Sequence, residues 1–206
     1  MQAGEVPVER VPEALTRLAE AGLTTREACG NSVRNVTACP LSGVCADELF
    51  EVWPYALAIT AHFLRNPHTQ QLPRKFKISV SGCRHDCAVA KIHDIGAVAV
   101  REGEGAGARY GFRLHVGGGL GAAPRVAEVL EPFTSVDELL PTCEAITRVF
   151  DRHGRRDNKA RARMKFLIER IGIEEFRRLV SDARDGLRGE RSRFAVLPRP
   201  EPLPRV

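Results

Sequence analysis

The sequence predicts an α+β fold in which helices flank a mixed sheet, and three observations lead there. Residues 75–81 (KFKISVS) alternate polar and apolar side chains with the two-residue period of a strand. Residues 95–100 and 110–116 repeat that strand character on either side of a turn-forming EGEGAGA. Residues 136–150 and 158–180 carry the strongest helical patterns, the second with an apolar stripe at Ala160, Met164, Leu167, Ile168 and Ile171.

In chain order, residues 9–21 set Val11, Leu15, Leu18 and Ala21 at helical spacing, with Pro12 suited to the first turn and Gly22 to the end. Thr24-Thr25-Arg26-Glu27 can cap a short second helix. Residues 30–45 (GNSVRNVTACPLSGVC) are mostly small or polar and read as an irregular loop. A helix after Pro54 places Tyr55, Ile59, His62 and Phe63 on one face and stops at Asn66-Pro67. In the strand at 75–81, Phe76, Ile78 and Val80 share one side, so Lys75 and Lys77 share the other and can converge on a ligand. Gly82 ends that strand, and 83–93 are expected as a turn and short helix. Gly117-Gly118-Gly119-Leu120-Gly121 is expected to open a helix near Pro124. The Pro-rich end, FAVLPRPEPLPRV, is expected to be extended or disordered. The divisions that follow are a helix and linker at 1–22, a main domain at 23–188 and a Pro/Arg-rich tail at 189–206.

A chain of 206 residues with 43% hydrophobic side chains can bury a core, and 28% charged residues is ordinary for a soluble protein. No apolar run approaches the roughly 18 residues of a membrane span. The N-terminus lacks the basic start and apolar core of a signal peptide. A cytoplasmic, reducing compartment is therefore expected, where six cysteines favour metal or redox chemistry over a disulfide framework. The net charge of +5 is concentrated at 151–206, which hold 16 Lys/Arg against 9 Asp/Glu. That surplus suits an acidic protein partner or an anionic cofactor, as well as a solvated face. Nucleic acid and membrane are not among the expected partners.

Four cysteines form two spaced pairs: Cys39 and Cys45 with five residues between them, Cys83 and Cys87 with three. A structural zinc site usually wants two to four residues between paired ligands, which fits the first gap poorly. A loop bent at Pro40 and Gly43 to wrap an iron–sulfur cubane fits better; zinc and unrelated roles stay open on spacing alone. Cys29 and Cys143 read as small hydrophobic side chains. Arg34, Arg74, Lys75 and Lys77 flank the cysteine loops; arginine offers bidentate hydrogen bonds to an oxyanion, and lysine a point charge and a proton. VGGGLG lacks a nucleotide fingerprint and reads as a tight turn whose N–H groups can still meet a carboxylate. His85 and His93 have no spacing that supports a ligand role.

GNSVRNVTACP, LPRKFKISVSGC and NKARARMKFLIERIGIEEFRRL together resemble the sulfite and nitrite reductase hemoproteins, over residues 9 to 181. That resemblance implies a hemoprotein-like module binding sirohaem and a 4Fe-4S cluster. It implies Cys39, Cys45, Cys83 and Cys87 as cluster ligands, with Cys87 also bridging to the sirohaem iron. Arg34, Lys75 and Lys77 match the family's anion-binding side chains, and Arg74 would face the sirohaem carboxylates. Asn35 and Thr37 fall in the same cofactor-binding stretch. The implied activity is multi-electron reduction of sulfite or nitrite, with ferredoxin or another acidic protein as donor. Family members are more than twice this length, with two pseudo-repeated halves; here 1–22 corresponds to the end of a ferredoxin-like segment, followed by one module. A fourth anion-binding arginine has no counterpart; the chain reads as a single-module or a truncated member, and in the first case a second module or a twofold-related copy could lend lysines to complete the site. The alternatives are a cluster-binding electron-transfer subunit and a tetrapyrrole enzyme of the precorrin-3B synthase branch.

Overall fold

Residues 4–202 are described in the structure, a computed structural model. The outer parts of the two terminal spans, 1–3 and 203–206, lie outside the described residues. Five strands form one sheet in sequential order: β1 Val33–Ala38, β2 Phe76–Ser81, β3 Ile95–Glu102, β4 Arg109–Val116 and β5 Glu128–Ser135. β1, β2 and β3 run parallel, and β3, β4 and β5 antiparallel, so the sheet is mixed as expected. The helices are α1 Val11–Glu20, α2 Trp53–Phe63, α3 Val136–His153, α4 Met164–Ile171 and α5 Ile173–Gly186.

The alternation of β2 decides which face is inner. Phe76, Ile78 and Val80 are fully buried on the helical side. There Phe76 meets Phe150 of α3 with ring centroids 5.6 Å apart, and Phe112 of β4 meets Tyr55 of α2 at 5.2 Å. Each buried aromatic contributes roughly 1.5–3 kcal/mol, enough to fix the orientation of the sheet against the helices. Among the described residues the other face carries no α-helix over β2 and β3. It is covered instead by the turn between β2 and β3: Ser79 Oγ donates to Ala88 O at 2.7 Å, and a Cβ on Gly96 would fall 2.7 Å from the Ala90 carbonyl carbon.

Four local expectations change. Residues 30–45 include β1, which sequence periodicity misses because its register shifts between Val33 and Asn35. Val33 and Val36 then pair with the inward-facing Phe76 and Ile78, three residues apart where a regular strand needs an even spacing. Residues 24–27 form no helix; 24 and 25 are irregular and 26–27 lie in a turn. In place of a helix near Pro124 comes β5, an edge strand that tolerates Pro132 because its outer side needs no ladder donor. The long helix at 158–180 is broken at Gly172, whose φ of +81° ends α4 and starts α5.

The Pro-rich end is docked, not free. Phe194 and Leu197 are buried in the core, and Tyr55 Oη donates to Pro198 O at 2.8 Å. Its anchor is the fully buried Glu144 of α3. His62 Nε2 lies 2.7 Å from Glu144 Oε2, Arg148 Nε donates to Oε1 at 2.9 Å, and Arg193 pairs with Oε1 as well. Burial by itself would raise the Glu144 pKa; hydrogen bonds from His62 and Arg193 outweigh it and hold the group at about 2, below the ordinary 4.5. A depressed carboxylate stabilises the fold above its unfolded pKa, and that stabilisation is lost as pH falls from 4.5 towards 2. Glu144→Gln is therefore expected to cost about 3 kcal/mol at pH 7. The gap to the wild type should narrow steadily between pH 5 and pH 3 in urea titrations.

Candidate cofactor and anion site

β1 and β2 run parallel, so their carboxyl ends lie side by side, the place where open sheets gather ligands. Cys39 follows β1 directly, and its N–H donates to Val80 O at 2.9 Å, locking it to the end of β2. Cys83 follows β2 after one glycine. The first loop turns back at once through Ser42 N–H to Cys39 O, 3.1 Å, and returns Cys45 to the same end. The second turns through Asp86 N–H to Cys83 O, 3.2 Å, with Asp86 and Val89 in the left-handed region at φ +53° and +52°. The Asp86 carboxylate holds this turn by accepting from Ser81 Oγ at 2.6 Å and Ala90 N–H at 2.7 Å. A β-branched residue at positive φ costs of order 1–3 kcal/mol, so the turn that presents Cys87 is imposed by its surroundings.

All six cysteines are free. Cys45 is within hydrogen-bonding range of Cys83, and Cys39 feels the charges of Cys87 and Cys45, so the four paired cysteines share one corner. Burial pushes the Cys39 and Cys83 thiols up, and the neighbouring thiolates push them further. Such a set is relieved by a cationic core that binds the thiolates outright. Among the described residues, no three thiol, imidazole or carboxylate donors surround a single ion-sized point. Donors spread around a corner fit a polynuclear iron–sulfur cluster, one thiolate per iron, better than one zinc ion. Cys39 and Cys83 are buried while Cys87 is exposed and faces outward. Cys143 stands apart in the core, its thiol pushed up to about 12 by burial, and Cys29 is exposed rather than buried.

Next to this corner the helix-free face of the sheet is polar. Thr37, Ser79, Gly96 and His115 line up across β1–β4, and Asn35 stands beside Lys77 in the adjoining row. Thr37 Oγ1 and His115 Nδ1 are buried without a hydrogen-bond partner, a cost of about 1–3 kcal/mol each that a polar ligand would relieve. Sequence reasoning passed over His115, although the alternation of RYGFRLHV places it on this face.

The four predicted cations also meet. Burial lowers the Lys75 pKa, and the positive charges of Arg163, Arg34, Lys77 and Arg74 lower it further. Among the described residues none of Arg34, Arg74, Lys75 and Lys77 makes an ion pair, although most of the other arginines do. Arg34 Nε donates to Gly30 O at 2.6 Å. Arg34, Asn35 and Lys77 open into a groove of about 950 Å³, whose far wall is the apolar side of α1 at Val11, Leu15 and Leu18. Arg163, missed by sequence reasoning, is the one cation of this group with a counterion. Its Nη2 lies 2.8 Å from both oxygens of the fully buried Asp94, which also accepts from Lys77 N–H at 3.0 Å. Burial raises the Asp94 pKa, and Arg163 draws it part of the way back. Nearby, the buried Lys165 Nζ clamps the glycine turn by donating to Leu120 O at 3.2 Å and to Ala123 O. His85 pairs with Asp47 at the surface, and His93 Nδ1 contacts Val89 O; neither reaches the thiols as a ligand.

Residues 29–186 match the family described as the nitrite and sulphite reductase 4Fe-4S domain. The chain is 37% identical over 181 residues to an assimilatory ferredoxin-dependent nitrite reductase of Haloferax mediterranei, covering 86% of this chain and 31% of that one. It is also 37% identical over 180 residues to sulfite reductase [ferredoxin] 1 of Mycolicibacterium paratuberculosis, covering 87% and 32%. Among solved structures, the Mycobacterium tuberculosis NirA protein superposes with a TM-score of 0.74 at 33% identity, over 96% of this chain and 34% of that one. Dissimilatory sulfite reductase I shares the fold at 13% identity, with a TM-score of 0.69 over 85% of this chain and 58% of that one. The chain belongs to the nitrite and sulphite reductase 4Fe-4S domain family. It spans about a third of the length of the curated relatives it matches.

Breaking the Asp94–Arg163 pair leaves a buried charge unmatched, so Asp94→Asn is expected to cost about 3–5 kcal/mol. Asp94→Asn combined with Arg163→Met should cost clearly less than the two changes summed, as read in a double-mutant cycle of urea unfolding.

Proposed function

We propose that this chain is a sirohaem- and 4Fe-4S-dependent module for reducing a small oxyanion, nitrite or sulfite, with electrons from ferredoxin or another acidic carrier. The observation that carries the reading is the meeting of four free cysteines at the ends of β1 and β2, with four cations that make no ion pair among the described residues gathered towards the starts of the same two strands. Residues 23–188 form the cofactor-binding domain in this reading. Cys39, Cys45, Cys83 and Cys87 hold the cluster, and the outward-facing Cys87 is the ligand placed to reach a second cofactor. Arg74 meets sirohaem carboxylates, and Asn35 and Thr37 offer polar contacts; the groove walled by β1 and α1 has the volume of a large ligand site. Relatives named as ferredoxin-dependent reductases of nitrite and of sulfite support both donor and substrate class. A second module or a copy of this one completes the anion pocket.

When bound, the two cofactors supply the electrons and the iron centre for the multi-electron reduction. The chain's own residues do the rest. Arg34 and the two lysines neutralise the anion in a site poor in counterions, where each charge-assisted hydrogen bond is worth about 1.5–3 kcal/mol. Lys75 is the proton donor in this reading: burial and four neighbouring cations lower its pKa, so its Nζ gives up a proton more readily than an exposed lysine.

The test is anaerobic reconstitution followed by iron, sulfide and visible-spectrum analysis. Cys87→Ser is expected to damage both cofactors, whereas Lys75→Ala with Lys77→Ala should leave the cluster spectrum intact. That double variant should weaken nitrite or sulfite binding at least about tenfold. Zinc or no iron in the purified chain would sink the reading, and a cluster spectrum without tetrapyrrole absorption would assign an electron-transfer subunit instead. Anion affinity should also fall with rising pH earlier than an ordinary lysine would cause, and Lys75→Arg should remove that early loss.

A further inference from the structure

We infer that Glu48 is the positioning residue that holds the two cysteine loops in register for the cluster. The inference rests on the cluster reading above. Glu48 lies between Cys45 and α2 and is only 6% exposed despite its charge. Its Oε1 accepts from Ser42 Oγ at 2.7 Å, and its Oε2 from Gly43 N–H at 2.5 Å; both donors sit inside the Cys39–Cys45 loop. Ser42 Oγ accepts in turn from Val52 N–H at 3.0 Å, which ties the loop to the entry of α2.

On its other side Glu48 packs against the second loop. A Cβ on Gly82 would fall 2.5 Å from Glu48 Cγ and 2.8 Å from Cδ, so the residue before Cys83 has to be glycine while Glu48 stands there. The backbone agrees: Leu49 N–H donates to Gly82 O at 2.9 Å, and Glu48 N–H to Cys45 O at 3.0 Å. One side chain thus touches the loop that carries Cys39 and Cys45 and the backbone that presents Cys83.

Among the described residues no cation pairs with Glu48, so a buried carboxylate rests on one hydroxyl and one amide, an arrangement that burial disfavours. Its charge is not idle. It is felt at Cys39, and a fixed negative charge beside a cluster ligand makes adding an electron harder. Groups that orient metal ligands in this way commonly change metal affinity about 10- to 100-fold when replaced.

Glu48→Gln keeps the volume and loses the charge and one acceptor. Gly82→Ala pushes the carboxylate aside and keeps the charge. Glu51→Gln removes an exposed carboxylate three residues away that makes no ion pair among the described residues, and serves as control. In the reconstituted chain, Glu48→Gln is expected to lose iron to a chelator about tenfold faster than the wild type and to show a more positive cluster midpoint potential. Gly82→Ala should also speed iron release, and both substitutions together should be no worse than the more damaging one alone. Glu51→Gln should match the wild type in both measurements.

The metal-free chain supplies an independent arm. Brief diamide treatment should join Cys45 to Cys83 in the wild type, the reagent taking up the two thiol hydrogens, and severalfold more slowly in Glu48→Gln and Gly82→Ala. Unchanged iron release, potential and cross-linking in Glu48→Gln overturn the inference. A wild type that takes up no cluster, with cross-linking still slowed by Glu48→Gln, overturns the cluster reading and leaves the brace standing.

Discussion

The parallel pairing of β1 with β2 is the constraint on which the site depends. Each strand is six residues long, about 20 Å at the rise of an extended chain. Were the pair antiparallel, the cysteine after one strand would sit that far from the cysteine after the other, well beyond the few ångströms a cubane spans. Parallel pairing in this register puts Cys39 against Val80 and leaves Cys83 a short step on. The tight turns after each strand then return Cys45 and Cys87 to the same corner. A parallel connection needs a long crossover, and α2 with the segment after it fills that role, delivering the basic residues at 74–77 directly into the start of β2.

The two faces of the sheet spend their charges differently. On the helical side Glu144 is matched by His62, Arg148 and Arg193, and a fully satisfied network of that kind fixes one packing of α2, α3 and the C-terminal segment. On the other side a buried hydroxyl and a buried imidazole nitrogen have no hydrogen-bond partner, and four cations have no carboxylate partner, within the described residues. Unmatched groups gathered in one place are a poor way to stabilise a fold and a good way to bind an anion. The rigid side lets the strained side exist: Asp94 and Arg163, and the left-handed turn at Asp86 and Val89, hold their geometry because the sheet beneath them cannot yield.

Much of this was legible in the sequence, for identifiable reasons. β2 and α3 announced themselves through clean periods, and the two cysteine spacings with PRKFK marked the site. β1 was hidden by its bulge, which breaks the period of two at the place where the strand carries Arg34, Asn35 and Thr37. The helix break at Gly172 was missed because a single glycine inside a continuous apolar stripe is a weak signal until its φ is known. Glu48, Asp86, Asp94 and Arg163 could not be read at all. Each acts through partners between 4 and 69 residues away, and nothing in local composition separates a bracing carboxylate from a solvated one.

The bulge in β1 also explains why the groove lies where it does. β1 is an edge strand, and an exposed edge invites unwanted pairing unless it is twisted, charged or covered. Here the bulge twists it, Arg34 charges it, and α1 stands off across the groove without burying a single one of its own residues. A helix with an apolar face that rests on nothing gains little from the fold beneath it. What would give it a surface to pack on is an occupant that is flat and apolar in its body and anionic at its rim, because the groove offers Val11, Leu15 and Leu18 on one wall and Arg34 and Lys77 on the other. A reduced tetrapyrrole with peripheral carboxylates has that character, and its rim would meet cations that make no ion pair among the described residues.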